Sequence, residues 1–188
     1  MAESRLPGRA RVTKVIRDGT SVYTEGTIHD RVVKLVEETG KLYGFDVYDY
    51  VDEIIYHSSQ VRRGGRVRGG SYFTVRADGT RVLAIGSRTL AKTRAGQIKT
   101  AMHELIHAQE WTNFIKNFTG SRTEGRRLFF QPFGSAPYAR REIFTELTAR
   151  RRLEQVKTYL HPGTKAQSTR YVRSWRNHLL YTYGESFM

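Results

Sequence analysis

Thr93–Phe118, TRAGQIKTAMHELIHAQEWTNFIKNF, is the stretch on which the reading of this chain turns. It reads as one long helix. At about 100° per residue, Ile98, Ala101, Met102, Leu105 and Gln109 gather on one side, and His103 and His107 stand about 40° apart on the other. Trp111, Phe114 and Phe118 continue the histidine side, so that side too is expected to be covered by protein. Two imidazoles four residues apart can grip one divalent ion, and a glutamate beside the first, Glu104, can take a proton from water activated there. The composition of the chain predicts only about 0.01 chance matches to this His-Glu-x-x-His pattern.

Working outward, a second long helix is expected over about Ala139–Leu160, closed by His161-Pro162-Gly163. With Glu142 set at zero, Glu146, Ala149, Leu153, Val156 and Leu160 fall within about 40° of it, as one stripe. Two carboxylates thus head an otherwise apolar face. Burying an ionised carboxylate without a counter-charge costs several kcal/mol, so unless this first turn is exposed Glu142 and Glu146 call for a cation, either an arginine or a metal ion.

Upstream, Asp78-Gly79 between Ser71–Arg76 and Arg81–Ser87 predicts a hairpin of two antiparallel strands. Phe45–His57 fits helix or strand, with β-branched residues favouring strand at its end. Thr27–Thr39 repeats Ile28, Val32, Leu35 and Val36 at helical spacing, with Gly40 as the stop. Arg62–Gly70 reads as a basic glycine-rich loop, and Gly120–Pro137 as a second loop. Ser168–Tyr183 reads as a last helix, in which Tyr171, Trp175, Tyr181 and Tyr183 serve packing. Residues 1–20 are basic and aperiodic and read as a flexible arm or linker remnant, leaving 21–188 as a single domain. The fold class is α+β, a small antiparallel or mixed sheet packed on the histidine helix and the glutamate-bearing helix.

With 188 residues, 38% of them hydrophobic, the chain can build one well-formed core. No apolar run reaches the length of about 20 residues that a membrane helix needs, and a soluble protein is expected. Absence of cysteine excludes disulfides, thiolate nucleophiles and cysteine-rich zinc modules, so any metal must be held by nitrogen and oxygen. A net charge of +14 suits a polyanion such as nucleic acid, or an acidic protein, although no nucleic-acid-binding motif accompanies it. His29, His57, His161 and His178 have no comparable spacing and read as surface or capping residues.

HELIHA at His103–Ala108, followed by glutamates on a later helix, resembles the gluzincin branch of the zincin metallopeptidases. Glu142-Ile-Phe-Thr-Glu146 is similar to the glutamate helix of lethal-factor-type toxins and thermolysin-like enzymes. The resemblance covers roughly residues 71–160. It implies a zincin-like fold and a Zn²⁺ ion held by His103, His107 and Glu142. Glu146 would then support a zinc-binding histidine, or serve as the third ligand itself. In such folds a sheet edge, here expected at Val82–Ser87, lines the cleft, where an extended peptide can add as a further strand. The sequence departs from related patterns in two ways: no histidine lies between His107 and His161, unlike the metzincins, and Arg141 stands where some gluzincins place asparagine.

The expected activity is zinc-dependent hydrolysis of peptide bonds in a protein substrate, with Glu104 as general base and Tyr138 as a donor to the developing oxyanion. Basic side chains in the two loops suggest an acidic stretch near the cut. HELIHA in a small basic chain also resembles bacterial effector and polymorphic-toxin metallopeptidases. That resemblance implies secretion or delivery into a target cell, with an acidic inhibitor or immunity protein as partner; a cytoplasmic location is the alternative. Two other readings stand beside this one. A DNA-associated SprT-like metalloprotease would suit the charge but usually has a third histidine, and a non-catalytic basic nucleic-acid-binding module would make the histidines structural.

Overall fold

In the computed structural model, which describes residues 15–17, 20–22, 27–44, 46–57, 61–63, 66–68, 70–155 and 162–186, the Asp78-Gly79 hairpin is a central feature. Gly79 adopts φ 92°, a left-handed conformation that glycine takes without the steric cost of a side chain. The strands it joins are the sixth and seventh of the chain. In order, the elements are β1 (Val15–Arg17), β2 (Thr20–Val22), α1 (Thr27–Leu42), a 3₁₀ turn (Val47–Asp49), β3 (Glu53–His57), β4 (Val61–Arg63) and β5 (Arg66–Arg68). There follow β6 (Tyr72–Val75), β7 (Arg81–Gly86), α2 (Ser87–Leu90), α3 (Arg94–Asn117), α4 (Arg122–Phe129), α5 (Ala136–Gln155) and α6 (Pro162–Tyr183). The architecture is mixed α+β and mostly helical.

The five-stranded sheet has the order β2-β1-β3-β7-β6, with β3 parallel to β1 and β7, and the outer pairs antiparallel. The sheet thus reaches back into the segment read as an arm, through Val15–Arg17 and Thr20–Val22; residues 1–14 lie outside the described ones. Val82–Gly86 of β7 are all buried, because the strand has a partner on each side. Val82–Ser87 is therefore not the sheet edge expected to line the cleft. That edge is β6.

Other expectations are corrected in detail. Helix α1 runs past Gly40 to Leu42, and Gly44, at φ 69°, follows its end. The Arg62–Gly70 loop contains a two-stranded antiparallel ribbon, β4 with β5. The Gly120–Pro137 loop contains α4, whose cap Ser121 accepts a hydrogen bond from the Glu124 amide. Helix α5 begins at Ala136 and α6 at Pro162, and residues 156–161, with Val156, Leu160 and His161, lie outside the described ones. Among the described residues no helix is long and apolar enough to cross a membrane.

The core places α3 at the centre. Ile98, Ala101, Leu105, Ala108 and Trp111 pack with Val32, Leu35 and Val36 of α1 and with Ile54, Phe73, Leu83 and Ile85 of the sheet. Met102 and Ile106 meet Ala149 of α5, and Ala139 and Ile143 of α5 meet Val172 and Leu179 of α6. Every residue from Ile98 to Ala108 is buried, so this half of α3 has no solvent face, unlike an ordinary amphipathic surface helix.

Candidate metal centre

α3 contributes His103, Glu104 and His107 to one buried cluster, and α5 contributes Glu142 and Glu146; each is less than 9% exposed. The helical spacing that put both histidines on one side turns their Nε2 atoms toward each other, 3.2 Å apart. Glu142 closes the set: its Oε2 is 3.2 Å from His103 Nε2 and its Oε1 is 3.3 Å from His107 Nε2. A tetrahedral ion with bonds of about 2.0 Å would hold its donors about 3.3 Å apart, close to the spacing of the two Nε2 atoms, and one donor atom from each of the three side chains lies within 4.8 Å of the others. The cluster can therefore bind a metal ion.

Behind the ligating atoms, each imidazole is held by a carboxylate. His103 Nδ1 lies 2.9 Å from Glu146 Oε2, whose other oxygen accepts from Lys99 Nζ at 2.7 Å. Glu146 thus meets the rear nitrogen of His103, and Glu142 the front ones. His107 Nδ1 lies 3.3 Å from Glu110 Oε2, and the Thr145 hydroxyl donates to Glu110 Oε1 at 3.1 Å. With an ion bound, carboxylates at both Nδ1 positions would favour the tautomer that leaves each Nε2 lone pair to it.

Electrostatics point the same way. Burial alone would lower the histidines, but hydrogen bonds to Glu142 and Glu146 outweigh it and push His103 up to about 10. His107 is also raised, where bonds to Glu110 and Glu142 overcome burial. Burial works against ionisation of Glu142 and Glu146, yet the histidines hold Glu142 far below the carboxylate range and, with Lys99, Glu146 at about 2. Glu104 moves the opposite way: burial raises it, only partly offset by the histidines and the Phe73 amide.

The cluster opens into a cleft of about 160 Å³ whose lining includes Glu104, Tyr138 and Glu142 with Tyr72 and Phe73 of the edge strand β6. Tyr138 is in this cleft, half-buried, its phenol raised by burial and then by the Glu142 charge. A second phenol is closer to the ligands: Tyr171 of α6 donates to Glu142 Oε2 at 2.6 Å and sits edge-on to His103, 5.8 Å between centroids. Tyr171 thus does more than pack. Trp175 does pack, against Tyr138 and Phe133, whereas Tyr181 is 82% exposed and belongs to no core. His178 Nε2 donates to the Gly134 carbonyl at 2.7 Å.

All six sequence-derived site residues converge here. Those that sequence reasoning missed are Lys99, Glu110, Thr145 and Tyr171. Glu110 had a legible signal, a carboxylate three residues beyond His107 on the same helix. Tyr171 had none, since it comes from a different helix. Comparison of the chain with protein-family models, with curated proteins and with solved structures finds no match in any of the three.

Proposed function

We propose that this chain is a zinc-dependent endopeptidase of zincin-like, gluzincin-type architecture. The observation that carries the reading is the convergence of His103, His107 and Glu142, one donor atom from each lying within 4.8 Å of the others, with the buried Glu104 beside them. Nitrogen and carboxylate donors in a tetrahedral spacing suit zinc. When bound, the ion supplies Lewis acidity, acidifying water and polarising a carbonyl oxygen.

The residues of the chain do the rest. Glu104, with a raised affinity for protons, takes one from the attacking water and passes it to the leaving amine. Tyr138 and Tyr171 line the cleft with phenol hydroxyls, and Tyr138 is the donor assigned to the oxyanion. Tyr171, Glu146 with Lys99, and Glu110 with Thr145 position the ligands. An extended peptide would lie along β6, the outermost strand of the sheet among the described residues, next to the cleft. A third ligand that is a carboxylate supports the gluzincin reading over the SprT-like one, and buried, carboxylate-backed histidines argue against a purely nucleic-acid-binding module.

The likeness of HELIHA in a small basic chain to effector and polymorphic-toxin metallopeptidases supports delivery into a target cell. An acidic inhibitor or immunity protein is then the natural partner for a net charge of +14. The test is Glu104→Gln: bound zinc is retained and cleavage of a denatured-protein substrate is lost. Full cleavage by that variant would reject the reading.

A further inference from the structure

Arg141, one residue before the ligand Glu142, lines the same cleft, and its setting differs from that of the salt-bridged arginines. Arg76, Arg81, Arg94 and Arg140 pair with Glu53, Asp52, Glu38 and Glu185 near the surface. Arg141 is half-buried, and among the described residues it has no carboxylate in salt-bridge contact. Its guanidinium is stacked 4.6 Å from the Phe129 ring centroid and 5.6 Å from that of Tyr138. One Nη donates to the Phe129 carbonyl at the end of α4, which accounts for one of its five N–H donors. Its Nε is buried with no partner.

Capping α4 does not explain this arrangement, since the cap uses a single donor; the charges of Glu142 and Glu110 act on the guanidinium, but among the described residues neither carboxylate takes its remaining donors. Nor does Glu142, whose Oε2 serves His103 and Tyr171 and whose Oε1 faces His107. A half-buried planar guanidinium lying over two rings, with its Nε left over, is a fork for a carboxylate. We propose that Arg141 is the specificity-determining residue of the cleft and receives a carboxylate of the bound peptide, next to the bond to be cut. This rests on the reading of the cleft as a peptide site. It places the acidic preference at one side chain of α5, in addition to any preference from the basic loops.

The carboxylate can come from an Asp or Glu side chain or from the C-terminus of the peptide, and the test separates the two. Acetylated, amidated hexapeptides carrying one Glu at each position in turn are titrated calorimetrically into the purified protein, beside all-Gln peptides that are either amidated or free at the C-terminus. In parallel, the ¹⁵N–¹H resonance of the Arg141 Nε–H is followed, identified as the one absent from R141K. One Glu position, or the free C-terminus, should bind about tenfold or more tightly than the amidated all-Gln peptide and should shift that resonance. The preference should vanish in R141Q and shrink in R141K. R141K also keeps the test valid if R141Q fails to fold, which its thermal midpoint and metal content report. Equal binding of all peptides, a preference that survives in R141Q, or an unmoved Nε–H resonance would overturn the proposal. These readouts need no turnover, so a protein that cleaves nothing defeats the hydrolase reading and leaves this result to stand or fall separately.

Discussion

The two sides of α3 bury side chains equally well and for opposite reasons. Toward the sheet and α1, Ile98, Ala101, Leu105 and Ala108 are 0% exposed and apolar, and their burial stabilises the fold through the hydrophobic effect. Toward α5, Lys99, His103, Glu104 and His107 face Glu142, Thr145 and Glu146, all of them less than 9% exposed. That interface gains little from transfer out of water and costs stability wherever a partner is missing. A chain needing only a stable α3·α5 contact would have used apolar residues there, as α5 itself does one and two turns later with Ala149 and Leu153. The contrast teaches that the polar side is suited to holding an ion rather than to stabilising the fold.

Breaking the polar side should have the largest consequence. His103→Ala removes a ligand and the partner of two carboxylates; zinc content, measured by elemental analysis, should fall from one ion per chain to near zero, and hydrolysis with it. Glu104→Gln should keep the ion and lower kcat/KM by about 10²- to 10⁴-fold, because only proton transfer is lost. Loss of the ion in that variant would show Glu104 to be structural.

Smaller effects distinguish the two carboxylates behind the histidines. Glu146→Gln should weaken zinc binding by about 10- to 100-fold. It should also cost about 3–5 kcal/mol of stability in denaturant titration, since the buried Lys99 loses its counter-ion. Adding Lys99→Met should restore most of that stability and none of the zinc affinity. Glu110→Gln should have a weaker effect on both, because Glu110 is 21% exposed.

The metal-free state should show the same chemistry through pH. His103, held at about 10, carries a proton at neutral pH, so protons compete with the ion and zinc affinity should climb about tenfold per pH unit between 6 and 8. His103 stabilises the metal-free fold below its ordinary value of 6.5, and that contribution is lost as pH rises toward about 10. Glu146, ordinarily 4.5 and held at about 2, stabilises it above 4.5, and that contribution is lost as pH falls toward about 2. The thermal midpoint of chelated protein should therefore be highest between pH 4.5 and 6.5; a maximum above pH 8 would contradict the assignment. On the apolar side, Leu105→Ala should cost about 2–5 kcal/mol and leave activity per folded molecule unchanged.

Much of this site was legible in the sequence because helices convert spacing into direction. His103 and His107 on one helix, and Glu142 and Glu146 on another, are each separated by four residues, and both separations survive folding as shared faces. Pairing between helices is different: that Lys99 would meet Glu146 or that Tyr171 would reach Glu142 depends on docking angles that no periodicity encodes. The hairpin at Asp78-Gly79 was legible because its turn chemistry is local, whereas the place of β7 inside the sheet was not, because strand order is set by distant partners. Helix α4 escaped notice because Gly125 and the surrounding glycines and prolines read as loop, although the Ser121 cap and a buried Phe129 mark a helix in retrospect.

The central claim is that α3 and α5 hold one divalent ion between them, and anomalous diffraction from crystals of the zinc-loaded protein at the zinc edge tests it most directly. The account predicts a single strong peak about 2.0–2.2 Å from His103 Nε2, His107 Nε2 and a Glu142 oxygen, with Glu146 remaining on His103 Nδ1. No peak there, with Glu142 left hydrogen-bonded to both histidines, would contradict it.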